Sequence, residues 1–99
     1  MLVHLRNGGT SLVLRQTGDT FEIVHWGASL GDIDEKSIAI AGRAVMHGAL
    51  DVNPGNLILR EHSRGWIGHP ALRGHRSGKS VANWFVCKNV DAKSDQATI

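Results

Sequence analysis

Apolar and polar residues alternate in three short runs near the start of the chain, and this alternation constrains the fold more than any other feature. The runs cover residues 2–6, 10–16 and 20–26, with the turn sequences Asn7-Gly8-Gly9 and Thr17-Gly18-Asp19 between them. A period of two is typical of a half-buried strand. Links this short join neighbouring antiparallel strands. The sequence therefore predicts three strands in an antiparallel meander.

A helical period replaces the alternation after residue 32. The acidic cluster Asp32-Ile33-Asp34-Glu35 favours the positive end of a helix dipole, and aspartate is a good N-cap residue. Ile38, Ala41 and Val45 then follow at helical spacing. We expect one amphipathic helix over about 34–47.

The second half of the chain contains less regular signal. Residues 48–80 are rich in glycine and basic side chains and predict a long loop, a type of segment that is often functional in a compact domain. The apolar run around Trp84 and Cys87 predicts a further strand over about 84–90. Without any ligand-binding role, Trp26 and Trp84 would be core residues.

Length and composition exclude several classes of protein. Ninety-nine residues form one domain at most, over 1–99, and cannot hold a catalytic barrel, which needs on the order of 200–250 residues. Cys87 is the single cysteine, so no internal disulfide or cysteine zinc site is possible. No apolar run approaches the roughly 18 residues of a membrane span, and no signal peptide pattern is present. We expect a cytoplasmic protein that does not bind membranes.

Motifs for catalysis or metal binding are weak. The segment 74–80 resembles a phosphate-binding loop, but it has one residue too few between its glycines and no strand–loop–helix context. The loop histidines His62, His69 and His75 lack the spacing of a helical metal-binding pair, and no cysteine pair supports them. We therefore expect no metal, no cofactor and no catalytic residue in this chain.

Two kinds of ligand fit the basic loop. Its cationic side chains can neutralise phosphates, which leaves a small basic nucleic-acid binder as a weak alternative. Tryptophan faces also pack on sugar rings, while arginine and histidine donate hydrogen bonds to hydroxyls. The modest net charge of +2 argues against nucleic acid, because nucleic-acid binders usually carry a larger clustered excess.

Four tracts occur in an order that resembles a known family. They are LVHLR at 2–6, GTSLVL at 9–14, HWGASLGD at 25–32 and GWIGHPALRGHR at 65–76. Together they resemble the start of α-galactosidases of glycoside hydrolase family thirty-six (melibiase-like), in their actinobacterial form. The similarity covers roughly residues 2–86 and weakens beyond Gly78.

The resemblance implies a larger bacterial enzyme of which this chain is the opening part. Its N-terminal domain is an antiparallel β-sandwich of the galactose-mutarotase-like type, so residues 1–99 would be an incomplete, mainly β sandwich with one short helix. The retaining reaction on terminal α-galactosides uses two aspartates of a barrel that this chain lacks, so no catalytic residue is carried over. The loop that matches the outer substrate wall contains Trp66, His75 and Arg76.

From this resemblance we expect a non-catalytic module that shapes the substrate entrance and subunit contacts of a homo-oligomeric α-galactosidase. Its partners are the α-galactoside and the remainder of the parent chain. The main alternative is a free-standing carbohydrate-binding or scaffold domain that uses the same loop.

Overall fold

A three-stranded antiparallel meander forms the first part of the chain, as the alternation predicts. A computed structural model describes residues 1–41, 55–79 and 82–99. The strands are β1 (Leu2–Asn7), β2 (Thr10–Thr17) and β3 (Thr20–Ala28), and they pair in the order β1-β2-β3. Each lies within two residues of its expected bounds.

Turn geometry and one bulge set the register of this sheet. Gly8 and Gly9 join β1 to β2 with φ angles of 57° and 81°. Two successive positive φ angles define the primed turn whose twist suits a two-residue hairpin, and glycine adopts them without steric cost. In β3, His25 pairs with Val13 and Ile23 pairs with Leu14, so Val24 is the extra residue of a β-bulge.

A small apolar core lies on one face of the sheet. Its buried centre consists of Val3, Leu14 and Phe21, one from each strand. Residues from the chain end pack on it, namely Cys87, Val90 and Ala97. The C-terminal segment therefore covers the face that the alternation makes apolar.

The helix begins where the acidic cluster predicts. The helix, α1, runs over Glu35–Ala41. It contacts β3, and its buried residue is Ile38. The Asp34 carboxylate accepts a 2.7 Å hydrogen bond from the Ser37 backbone N–H, the contact of an N-cap. This hydrogen bond lowers the pKa of Asp34. Residues 42–47 of the expected helix lie outside the described residues.

The expected long loop contributes to the sheet. Ile23 N–H donates to the Asn56 carbonyl at 2.8 Å, and Ile58 N–H donates to the Phe21 carbonyl at 3.0 Å. The short segment 56–58 thus lies along the outer edge of β3, with Leu57 buried. The rest of 55–79 contains one turn of 3-10 helix, His62–Arg64, and no longer element. Residues 48–54 and 80 of the expected loop lie outside the described residues.

The expected strand over 84–90 is wrong. The backbone there is irregular, and its hydrogen bonds go to a side chain and to a turn rather than to a neighbouring strand. Phe85 N–H donates to the Glu61 carboxylate at 2.8 Å, and Cys87 N–H donates to the Asp19 carbonyl at 2.7 Å. Two short strands follow instead, β4 (Asp91–Ala92) and β5 (Ala97–Thr98), which pair antiparallel.

Tryptophan placement also differs from the core interpretation. Trp26 is 75% exposed at the end of β3, and Trp84 is 58% exposed. Trp26 extends beyond the buried cluster, and Trp84 lies in the irregular segment. Neither ring belongs to the core.

The described chain is mainly β, with antiparallel sheets and one short α-helix. No helix among the described residues is long and apolar enough to cross a membrane.

Candidate functional site

Arg64 organises the loop from a single turn of 3-10 helix. The turn His62–Arg64 ends at Gly65, whose φ of 88° lets its N–H bond back to the His62 carbonyl at 3.0 Å. Trp66 N–H donates to the Glu61 carbonyl at 3.2 Å. These local contacts place the Glu61 and Arg64 side chains on the same side of the turn.

The Arg64 guanidinium joins three separate segments. Its Nε donates to Glu61 Oε2 at 2.7 Å, and Nη1 donates to Asp19 Oδ1 at 2.9 Å. Nη2 donates to the Phe85 carbonyl. The guanidinium carbon also lies 4.0 Å from the centre of the Trp84 ring, a cation–π distance. We call Asp19, Glu61, Arg64, Trp84 and Phe85 the Arg64 cluster.

Burial makes the charges of this cluster depend on one another. The side chains of Arg64 and Glu61 are only 9% and 5% exposed. Burial alone works against the charged form of Arg64, but hydrogen bonds to Asp19 and Glu61 outweigh it and raise the pKa of the guanidinium. The Arg64 hydrogen bond lowers the pKa of Asp19. The charged forms of Arg64 and Asp19 therefore stabilise each other.

A cleft of about 410 Å³ opens beside the Arg64 cluster. This volume falls in the range of small-molecule sites. The walls alternate apolar and polar groups, and the lining residues are Leu59, Glu61, His62, Pro70, Ala71, Leu72, Arg73, Gly74, His75, Ala82, Asn83 and Phe85. Mixed walls of this kind suit a ligand with both apolar faces and hydroxyl groups, such as a sugar.

Hydrogen bonds determine which ring nitrogen carries the hydrogen in each histidine of the cleft. His62 Nε2 lies 2.9 Å from the Gly68 carbonyl, so it carries the hydrogen. His75 Nδ1 accepts the Gly78 backbone N–H at 2.8 Å, which leaves Nε2 as the donor of a neutral ring. Among the described residues, no group of three metal-ligating side chains is present.

The three residues expected at a substrate wall are placed differently from one another. His75 lines the cleft, whereas Trp66 and Arg76 do not. The Trp66 indole donates to the His69 carbonyl at 2.8 Å, and the Arg60 guanidinium lies 4.6 Å from its ring centre. The Arg76 backbone pairs with Lys79 across a tight turn.

The residues that make most of the hydrogen bonds in this site, Glu61 and Arg64, do not belong to any recognisable sequence motif. Glu61 and Arg64 are three positions apart, and this spacing is the only local signal of their ion pair. Asp19 is 45 residues before Arg64, and Phe85 is 21 residues after it. No pattern of local spacing identifies contacts of that range.

A second polar centre lies on the sheet, around the buried hydroxyl of Ser11. His4 Nε2 lies 2.9 Å from Ser11 Oγ, which also accepts the Leu30 N–H at 2.9 Å. Arg6 Nε donates to His4 Nδ1 at 3.3 Å, so the neutral ring carries its hydrogen on Nε2. His4 then donates to Ser11 rather than accepting its proton. The pair is structural, because a nucleophilic serine needs a base that accepts.

Comparisons with protein-family models, with curated proteins and with solved structures find no match to this chain.

Proposed function

We propose that the chain is a non-catalytic N-terminal β module of an α-galactosidase that resembles glycoside hydrolase family thirty-six. In this proposal the β1–β3 sheet is part of an incomplete antiparallel sandwich of the galactose-mutarotase-like type. The cleft beside the Arg64 cluster forms the outer wall of the sugar site. The observation that carries the proposal is that residues 70–75 of the GWIGHPALRGHR tract all line this cleft.

The charges of the cleft support a binding role rather than catalysis. A retaining glycosidase holds two carboxyl groups about 5–5.5 Å apart on either side of the scissile bond. The cleft lining contains one carboxylate, Glu61, and both of its oxygens are already hydrogen-bonded. The walls can orient hydroxyls and exclude water, but they do not offer a nucleophile with a separate acid.

The surface supports a module that packs against more protein. Large apolar side chains remain exposed at Trp26, Ile67 and Leu72. Contacts with the remainder of a parent chain or with a second subunit would cover such groups.

Sugar titration followed by amide NMR of the purified 99-residue chain tests the proposal. We expect melibiose at millimolar concentration to shift the amides of residues 71–75, while maltose leaves them in place. Ala71→Phe fills the cleft and should abolish these shifts. Ala28→Phe, at the exposed end of β3, is the matched control and should retain them.

Two results would overturn the proposal. One is the absence of melibiose shifts in the cleft up to saturating sugar, or their persistence in Ala71→Phe. The other is turnover of nitrophenyl α-galactoside by the purified chain, free of host enzyme, because the module is proposed to lack catalysis.

Subunit contacts are the second part of this proposal. β1 is the outer strand of its sheet, and within the described residues its outward backbone makes one inter-segment hydrogen bond, from Arg6 N–H to the Ser94 carbonyl at 2.8 Å. An open strand edge favours pairing with another chain. We expect self-association, and a monomeric mass by light scattering at high concentration would contradict it.

A free-standing carbohydrate-binding domain is the second candidate. It is favoured by the cleft itself, since residues of this chain alone supply the walls. The coding sequence after Ile99 separates the two: an open frame that continues into a barrel supports the module, and an immediate stop codon supports the free-standing domain.

A further inference from the structure

The residues that line the cleft include one arginine, Arg73, and one carboxylate, Glu61. Within the described residues, no carboxylate lies within ion-pair distance of Arg73. Arg73 is also exposed, so its guanidinium is accessible to a ligand in the cleft.

The single acidic lining residue does not offset Arg73. Glu61 Oε2 accepts from Arg64 Nε at 2.7 Å, and Glu61 Oε1 accepts from Phe85 N–H at 2.8 Å. Both carboxylate oxygens of Glu61 are therefore held by protein donors, one of them from Arg64, which also binds Asp19. Arg73 is the charged lining side chain that has no ion-pair partner among the described residues.

We propose that the cleft binds an anionic hexose, with the ligand carboxylate at Arg73 and a ring hydroxyl at His75 Nε2. A guanidinium presents paired donors that match a carboxylate in a fork geometry. His75 Nε2 is the free donor of its ring, because Nδ1 accepts the Gly78 N–H. This inference rests on the proposed sugar site and names its ligand class: a hexuronate is preferred to the neutral sugar.

Galacturonic acid and galactose form a matched pair of probes, since they differ only in the oxidation of C6. We expect galacturonate to bind the full chain about tenfold more tightly than galactose at low salt, the order that one charge-assisted hydrogen bond supplies. The preference should shrink as ionic strength rises, because salt screens a solvent-accessible charge. Amide NMR titration measures both affinities.

Two charge variants separate the cleft charge from general basicity. Arg73→Gln removes the lining guanidinium and should bring the two sugars to equal affinity. Lys79→Gln removes one positive charge from the same loop but outside the lining, and it should keep the preference. Far-UV circular dichroism of both variants checks that the sheet is retained.

Each outcome decides one claim. Equal binding of the two sugars by the wild-type chain refutes the anionic preference and leaves the proposed function standing. If neither sugar binds, the anionic preference and the proposed function are both refuted. Binding of galacturonate without galactose supports the inference and refutes the neutral galactoside as ligand. If inorganic phosphate binds as tightly as galacturonate, recognition of the sugar is refuted and the cleft is a site for simple anions.

Discussion

Replacement of Arg64 by methionine tests whether the Arg64 cluster stabilises the fold. Methionine retains part of the apolar stem but removes the charge and all guanidinium contacts. Glu61 would remain 5% exposed with a single hydrogen bond, from Phe85 N–H. Removal of one partner from a buried ion pair costs about 3–5 kcal/mol, because the remaining charge is buried without compensation.

The expected loss is large compared with the total stability of a small domain. Domains have free energies of unfolding of about 5–15 kcal/mol. A loss of 3 kcal/mol corresponds to a fall in Tm of roughly 12–24 °C in a chain of this size. Urea unfolding, followed by tryptophan fluorescence and by circular dichroism, measures the change. Trp84 also loses the cation that lies 4.0 Å from its ring centre, so native fluorescence should change.

A double variant distinguishes an ion pair from general packing. Glu61→Met combined with Arg64→Met leaves no charge buried at this pair, so it should recover at least half of the single-variant loss. Arg76→Met, in the exposed loop, is the matched control and should stay within about 0.5 kcal/mol of the wild type. If Arg64→Met unfolds with wild-type stability, compensation of Glu61 by Arg64 is refuted.

Three further perturbations test the core and the sheet. Phe21→Ala empties a site that is 2% exposed and should cost about 3–5 kcal/mol, whereas Trp26→Ser on the exposed end of β3 should change stability by about 0.5 kcal/mol or less in urea unfolding. Burial and then Arg6 lower the pKa of His4 below 6.5, against the opposing charge of Asp32, while His25 adds to the lowering. The unfolded chain therefore takes up the proton first on acidification, so stability is full above pH 6.5 and declines as pH falls through the folded pKa. His4→Gln should flatten this part of the stability–pH curve, and an unchanged curve would exclude His4 as its source.

The first part of the fold is predictable from sequence because its contacts are local. β1, β2 and β3 follow one another through two-residue turns, so alternation and turn residues fix both strand positions and pairing. The start of α1 is predictable for the same reason, since Asp34 caps a backbone N–H only three residues ahead.

The segment after Asn83 shows where local patterns fail. Trp84, Phe85 and Val86 are apolar and predict a strand, but a strand needs a partner edge. Their neighbours in space are the Glu61 carboxylate and the turn at Asp19. The conformation of this segment depends on two polar residues that are distant in the chain, Glu61 and Asp19. The periodicity of apolar residues contains no information about such contacts.

Phe85 couples the cleft to the stability of the sheet. It lines the cleft, its N–H is held by Glu61, and its carbonyl is held by Arg64. The same guanidinium binds Asp19 at the turn that joins β2 to β3. One cation therefore fixes this wall of the cleft to the sheet. Loss of that cation should lower folding stability and weaken the proposed sugar binding with it. Loss of Arg73 has no such route to the sheet, because Arg73 makes no side-chain contact with the Arg64 cluster among the described hydrogen bonds and ion pairs. Arg64 thus holds the walls of the cleft in place, and in the proposed sugar site Arg73 would supply the charge that selects the ligand.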